Sequence, residues 1–217
     1  KQALNSPKPQ IICVGDPMMD VYHLGRMTRL ATEAAVPVIE KRPAMLCPGG
    51  AANLAKNAAA QGVKTTFVAP LGVGDFDKAL AEDLNNTANL DFLPIVSTSV
   101  RIVTKERFYA NGTMVLRFDD DGVGTLAETT TDLLLAATLE HLDACRCLVL
   151  SDYAKGTLSP HTLQRLIAAA RATQTEVLID PKGADFQKYT GADCLTPNRA
   201  ELEAAVGFPL TTLKSVE

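Results

Sequence analysis

The chain has 217 residues, 47% of them hydrophobic, and a net charge of only -4 at neutral pH, with no tryptophan and no long basic run. That balance excludes nucleic acid and an anionic membrane surface as obvious partners and leaves small molecules as the expected ligands. No apolar stretch is long enough to span a bilayer, and the opening "KQALNSPKPQ" lacks the hydrophobic region of a signal peptide, so the expected location is the cytoplasm.

Taken in chain order, "IICVG" from Ile11 predicts a short buried strand. The "GDPMMD" that follows is expected as a post-strand loop, with Asp16 and Asp20 able to accept hydrogen bonds from the hydroxyls of a polyol; the alternative for Asp16 is a turn cap. It lacks the G-x-G-x-x-G fingerprint of a nicotinamide enzyme. "VYHLGRMTRLATEAAVPVIEKR" then breaks the pattern with extended runs. In "PGGAANLAKNAAAQG", Gly49 and Gly50 clear backbone for the close approach of a ligand, and Asn53 offers an amide near the start of an alanine-rich helix that Gly62 ends.

"KTTFVAP" from Lys64 reads as the next strand and "FDKALAEDLNN" from Phe76 as the next helix, with Asp75 its expected cap. The glycines of "LGVGDFDKAL" are followed by no Walker lysine and serine. "SVRIVTKERFYANGTMVLRFDDDG" supplies two more extended runs around an "ANG" turn. Lys105 and Arg107 share one face there and can aim two cations at one anionic group; the alternative is a solvated strand edge. These two irregular segments, about 21–42 and 99–119, are expected to form a small antiparallel sheet outside the main one, a lid.

The alternation then resumes with "TTDLLLAATLEHL", "CLVLSD", "PHTLQRLIAAARA", "EVLID", "CLTPN" and "RAELEAAVG". Cys13, Cys145, Cys147 and Cys194 are expected to fill apolar strands in a reducing compartment, since the five cysteines form no C-x-x-C pair. "SDYAKG" and "DPKG" deliver Asp152 with Lys155, and Asp180 with Lys182, to strand ends. Carboxylates there can position hydroxyls or a hydrated metal ion, and lysines can meet phosphate. Asn198 and Glu201, spaced i, i+3, read locally as a capping box; a water-coordinated Mg²⁺ near phosphates is the other reading. His23, His141 and His161 show no metal-ligand spacing. Apolar strands without period-2 alternation, separated by helices, predict an α/β parallel sheet covered on both faces, with ligands beyond the carboxyl ends of its strands.

Together, "VGDPMMDVY", "PGGAANLAKNAAAQG", "TKERF", "LRFDDD", "LSDYAKG", "LIDPKG" and "LTPNRAELEAAVG" resemble the ribokinase-like carbohydrate kinases of the phosphofructokinase-B type over nearly the whole chain. Within them, the likeness is greatest to the kinase domain of the bacterial heptose 7-phosphate enzymes that supply ADP-heptose for lipopolysaccharide. The resemblance implies a ribokinase-like three-layer fold with an antiparallel β lid, and ATP-dependent phosphorylation of heptose 7-phosphate at its anomeric hydroxyl to the 1,7-bisphosphate. Asp20, Gly49, Gly50 and Asn53 are implied as sugar contacts, with Asp16 beside them. Asp152 and Lys155 are expected on the substrate side. Asn198 and Glu201 are implied to serve ATP and Mg²⁺, Glu201 through water, with Lys182 on the nucleotide side, while on the ground of charge Arg101, Lys105 or Arg107 is expected to receive the sugar's own phosphate.

Relatives of this kind continue to a glycine-rich Asp-Thr-x-Gly-Ala-Gly-Asp element whose last aspartate is the general base, and that element does not occur in these 217 residues. No catalytic residue is therefore expected within the chain, and the general-base aspartate is expected beyond Glu217. The expectation is a single incomplete kinase domain over residues 1–217, lacking the carboxy-terminal part of the fold and weakly active or inactive alone. The alternatives are a non-catalytic module that binds sugar phosphates, and a kinase of the same superfamily for another sugar or a nucleoside. The lid is further expected to pair with a second copy as a homodimer.

Overall fold

In the computed structural model, which describes residues 10–40, 42–122 and 124–210, the chain runs β1 (Gln10–Gly15), β2 (Pro17–Leu30), β3 (Pro37–Glu40), β4 (Met45–Gly49), α1 (Gly50–Ala60), β5 (Lys64–Leu71), α2 (Asp75–Asn85) and β6 (Leu90–Val96). It continues through β7 (Val103–Ala110), β8 (Thr113–Asp120), α3 (Glu128–Leu142), β9 (Cys147–Ser151), α4 (Pro160–Ala172), β10 (Glu176–Asp180), β11 (Cys194–Leu195) and α5 (Arg199–Val206). Lys41, inside the first expected lid segment, and both ends of the chain lie outside the described residues. Glu217 is among them, so the expectation of a general base beyond Glu217 also falls outside the described residues.

Six strands form one parallel sheet in the order β11, β10, β9, β1, β5, β6. Its strands are apolar on both faces because both are covered. Ile12, Val14, Leu148, Leu150, Val177 and Ile179 pack with α3 and α4, whereas Cys13, Phe67 and Ala69 pack with Ala51, Ala52 and Ala55 of α1 and Leu80 and Leu84 of α2. Each such large side chain removed from water contributes about 1.5–3 kcal/mol. The predicted α/β layering is the one observed. Two strands were missed from sequence, β4 beside the paired glycines and β6, whose Pro94 disguises it; as an edge strand β6 tolerates a residue without an amide proton.

A second sheet stands apart in the order β3, β2, β7, β8, with β4 also paired to β2. It corrects the expected antiparallel lid to a mixed one: β2 is antiparallel to β3 and β4, and β7 to β8, but β2 and β7 run parallel. The physical reason is that both strands leave the large sheet from the carboxyl side, one after β1 and one after β6, and so set out in the same direction. A second correction follows from the same strand. β2 begins at Pro17, so Asp20 lies on a paired strand and not in a loop.

A third concerns α2, whose N-cap is Gly74 with no side-chain cap. Asp75 is its first residue, and it is Asp77 that turns back to accept the Gly72 amide at 2.6 Å. Cys13, Cys147 and Cys194 lie on strands as expected, while Cys145 sits in the turn before β9. Burial, with smaller contributions from neighbouring thiols, pushes Cys13 up to about 12; burial first and then Cys145 push Cys147 up to about 11. Thiols held protonated react slowly. Mass mapping after iodoacetamide treatment of the native protein should therefore find exposed Cys194 modified first and Cys13 untouched until the chain is unfolded. Among the described residues no helix is long and apolar enough to cross a membrane.

Candidate functional site

At the root of the lid, β2 and β4 bring Asp20 against the paired glycines. A Cβ on Gly49 would lie 2.6 Å from Asp20 Oδ2, so the carboxylate occupies space that only glycine leaves. Gly50 opens α1 at φ 56°, a left-handed conformation that glycine adopts freely, and a Cβ there would meet the Asp16 carbonyl oxygen at 2.7 Å. That tight turn starts α1 with no side-chain cap and no acidic residue in its first turn, and the Ala51 amide donates to the Asp16 carbonyl oxygen at 3.0 Å. Asn53 is exposed one turn along, its Oδ1 accepting from Asn57 at 3.3 Å.

Facing strands complete this corner. Asp20 is in register with Lys105, and Tyr22 with Arg107, so all four share one face of the lid. Arg107 donates to Asp20 Oδ1 at 2.6 Å, and its guanidinium lies 5.3 Å from the centre of the Tyr22 ring. The hydrogen bond to Asp20 is the chief reason that Arg107 holds its proton even more tightly than usual. Sequence alone offered Lys105 and Arg107 as an equivalent pair; the structure separates them, because Arg107 is committed to Asp20.

Asp16 has a different job from the one expected. Only 2% exposed, it accepts backbone amides from Tyr153 and Lys155 on Oδ2 at 3.0 and 3.1 Å and from Thr157 on Oδ1 at 3.0 Å. Its carboxylate anchors the loop after β9, which corrects the assignment to sugar hydroxyls: a buried charge must be satisfied, and three amides satisfy it. Asp152, also 2% exposed, is likewise held inside, accepting from Ala154 N at 2.7 Å, Lys188 Nζ at 2.7 Å and Tyr189 Oη at 2.7 Å. Its network fixes Ala154 at φ 55°, a left-handed conformation rare for a residue with a side chain. Lys155 Nζ donates to Asp121 Oδ1 at 2.6 Å, tying the same loop to the end of β8. Asp152 and Lys155 thus hold the loop together, and Asp152 also lines the cleft described next.

The second part of the site lies where β9, β10 and β11 end. A cleft of about 240 Å³ opens there between Asp152, Tyr153, Asp180, Lys182, Asn198 and Glu201. The capping box read from sequence is present: Glu201 N donates to Asn198 Oδ1 at 3.0 Å and Asn198 N to Glu201 Oε2 at 3.0 Å. The remaining oxygen of Glu201 accepts from Lys182 Nζ at 2.9 Å, so capping leaves Glu201 facing the cleft. Gly15, Ser151 and Asp180 stand in register across three adjacent strands, which sets the lid root and the cleft along one sheet edge.

Burial would raise the Glu201 carboxyl, but hydrogen bonds from Lys182 and from the Asn198 amide outweigh it and hold the group below its ordinary value. Lys182 is held above its own, chiefly by Glu201. A depressed carboxyl stabilises the fold above its unfolded pKa and loses that contribution as pH falls through the folded value; a raised ammonium does so as pH rises through its folded value. Denaturant titrations should therefore find the stability gap between wild type and Glu201→Gln flat around neutrality and closing below about pH 4.5. Asp180 behaves oppositely, raised by burial and then by the charge of Glu201.

Sequence reading missed Lys188 and Tyr189, which hold Asp152 from a short 3-10 turn without periodicity. The one available signal was that a tyrosine in an otherwise featureless turn has a hydroxyl to satisfy if it is buried.

A parallel α/β body, a lid strand carrying an acid over paired glycines, and a cleft for charged groups on the same edge define a lidded protein of the sugar-kinase fold class. The comparisons agree. Residues 8–217 match the family described as pfkB family carbohydrate kinase, and the chain belongs to that family. The bifunctional protein HldE of Rhodospirillum rubrum is 35% identical over 203 residues, 94% of this chain and 41% of that protein. The bifunctional protein HldE of Caulobacter sp. is 39% identical over 199 residues, 91% of this chain and 40% of that protein. The chain thus spans about two fifths of the length of these curated relatives. Among solved structures, the tetrameric inhibited form of phosphofructokinase-2 from Escherichia coli superposes with a TM-score of 0.76 at 22% identity, covering 97% of this chain and 67% of that one. Arabidopsis thaliana ribokinase complexed with ribose and ATP gives 0.68 at 18% identity, covering 97% and 66%. At these identities the structural likeness concerns the fold.

Proposed function

We propose that residues 1–217 form a kinase domain, with its lid, that takes a phosphorylated sugar under the lid and ATP at the strand-end cleft, transferring the γ-phosphoryl to a sugar hydroxyl. The observation that carries this reading is Asp20, fixed between Gly49 and Arg107 beside the start of α1: an oriented acceptor facing bare backbone suits a polyhydroxyl ring. The resemblance of its motifs to the heptose 7-phosphate kinases favours heptose 7-phosphate as the sugar and its anomeric hydroxyl as the acceptor.

The cleft fits a nucleotide's phosphates and an Mg²⁺ held largely by water. Asp180 and Glu201 crowd negative charge there, which a cation would relieve, and Lys182 offers a positive charge to an anion. No group of three or more His, Cys, Asp or Glu side chains converges as a metal cage among the described residues, so phosphates and waters would complete the cation's shell. Bound Mg²⁺ supplies neutralisation of developing phosphoryl charge. Within this chain, Lys182 and the Asn198 and Glu201 pair orient the phosphates, Asp20 orients the sugar, and the lid excludes water. In the same reading, β8, the lid's edge strand, with Leu116 and Phe118 more than half exposed, pairs with a second copy.

Calorimetry with heptose 7-phosphate, fructose 6-phosphate and adenosine, each with and without Mg-ATP, tests the proposal. Binding of heptose 7-phosphate in preference to the others is expected. Preference for adenosine or for fructose 6-phosphate overturns the assigned sugar, and binding of none of them overturns the reading.

A further inference from the structure

The lid hairpin closes through a two-residue turn. Ala110 pairs with Thr113 across Asn111 and Gly112, both left-handed at φ 52° and 85°. This Asn-Gly pair occurs nowhere else in the 217 residues. Asn111 does more than reverse the chain. β2 and β7 last pair at Gly25 and Ala110, yet the Asn111 amide still donates to the Gly25 carbonyl oxygen at 3.2 Å. Beyond it, the Asn111 carboxamide stands where a further peptide group of β7 would stand, accepting from the Met27 amide at 3.3 Å and donating to the Met27 carbonyl oxygen at 3.0 Å. The side chain thus carries the ladder past its end and ties the hairpin tip to β2.

We propose that Asn111 is a self-modification site of the lid: its carboxamide clamps the hairpin tip to β2, and its conversion to a carboxylate releases the clamp. The proposal does not depend on which ligand the site below the lid takes. The Gly112 amide nitrogen gives up its proton and forms a bond to Asn111 Cγ, the bond from Cγ to the carboxamide nitrogen breaks, and ammonia leaves a cyclic imide. Water then adds to either imide carbonyl and opens the ring, giving aspartate, or isoaspartate in which the main chain runs through the former side-chain carbonyl. Neither step needs an oxidant or a reductant. Gly112 favours the first one, because it has no side chain to shield its nitrogen and nothing lies within 4 Å of where a Cβ would be. Both residues are exposed, so water reaches the imide. The Met27 bonds oppose it, since Cγ must leave Met27 to meet the Gly112 nitrogen, and conversion therefore proceeds from the briefly unclamped turn. The product cannot clamp again. A carboxylate has no hydrogen to donate, so one oxygen would face the Met27 carbonyl oxygen and the side chain is driven outward, taking the acceptor of the Met27 amide with it.

The test holds the full 217-residue chain in mildly alkaline buffer, with and without denaturant, and follows each asparagine by peptide mass mapping. Asn111 should be the first asparagine converted in the native chain, and its conversion should be slower there than in denaturant. Ion exchange separates the converted chain by its added negative charge. In that material the amides at positions 27 and 111 should exchange hydrogen about fivefold or more faster than in the unconverted chain, while those of the large sheet are unchanged. Asn111→Asp should reproduce the faster exchange without ageing, and the converted wild-type chain serves in its place if melting curves show that the variant does not fold. Earlier conversion of another asparagine in the native chain overturns the modification site. Equal rates with and without denaturant, or unchanged exchange in the converted chain, overturn the clamp.

Discussion

Asp16→Ala is expected to lower the stability of the fold by at least about 3 kcal/mol while leaving the lid-root groups in place. The substitution strips the acceptor from three amides at once, those of Tyr153, Lys155 and Thr157, in a position 2% exposed to solvent. A buried donor left without a partner costs about 1–3 kcal/mol, so three of them reach a substantial share of the ~5–15 kcal/mol that a domain has in total. For a chain of this size each kcal/mol moves the melting midpoint by about 2–4 °C, so a fall of roughly 6–12 °C should be measured by calorimetry. Asp16→Asn is a sharper probe. Its amide has one accepting oxygen, so whichever way it turns, its nitrogen faces backbone donors, and most of the loss should persist. A melt within about 1 °C of wild type for both variants would return Asp16 to the ligand-binding side.

Asp20→Ala should show the opposite pattern, with sugar affinity falling about a hundredfold or more and thermal stability changing little. Two hydroxyls donating to a charged acceptor contribute about 1.5–3 kcal/mol each, which sets the size of the loss. The effect on stability is small because side-chain exposures of 25% for Asp20 and 21% for Arg107 let water reach the remaining guanidinium. Titration calorimetry with the phosphosugar, alongside a melt, separates the two quantities. A variant that binds as well as wild type would remove Asp20 from the sugar site, and with it the proposed function.

These two acids stand four positions apart in one short stretch, and sequence reading offered both as hydroxyl acceptors, with a turn cap as the alternative for Asp16 alone. What distinguishes them is distance along the chain: the partners of Asp16 lie 137 to 141 residues away, and Arg107 lies 87 residues from Asp20. No local pattern carries such pairings. Asn198 and Glu201 are the reverse case. Their reciprocal bonds span three residues, so the capping box was legible directly, whereas the reach of Lys182 to Glu201 required β10 and α5 to be placed side by side.

The alternation of apolar runs with helical segments sufficed for the layered parallel body, because both faces of each inner strand must be buried and a short βα unit leaves few other ways to bury them. The paired glycines were legible for a similar reason, since crowding at the start of α1 excludes any side chain there. Strand direction in the lid, the burial of Asp16 and Asp152, and the pairing of Arg107 with Asp20 were decided only by tertiary structure. Each depends on which distant segment lies alongside, and a charged group's role is set by the partners that its surroundings supply.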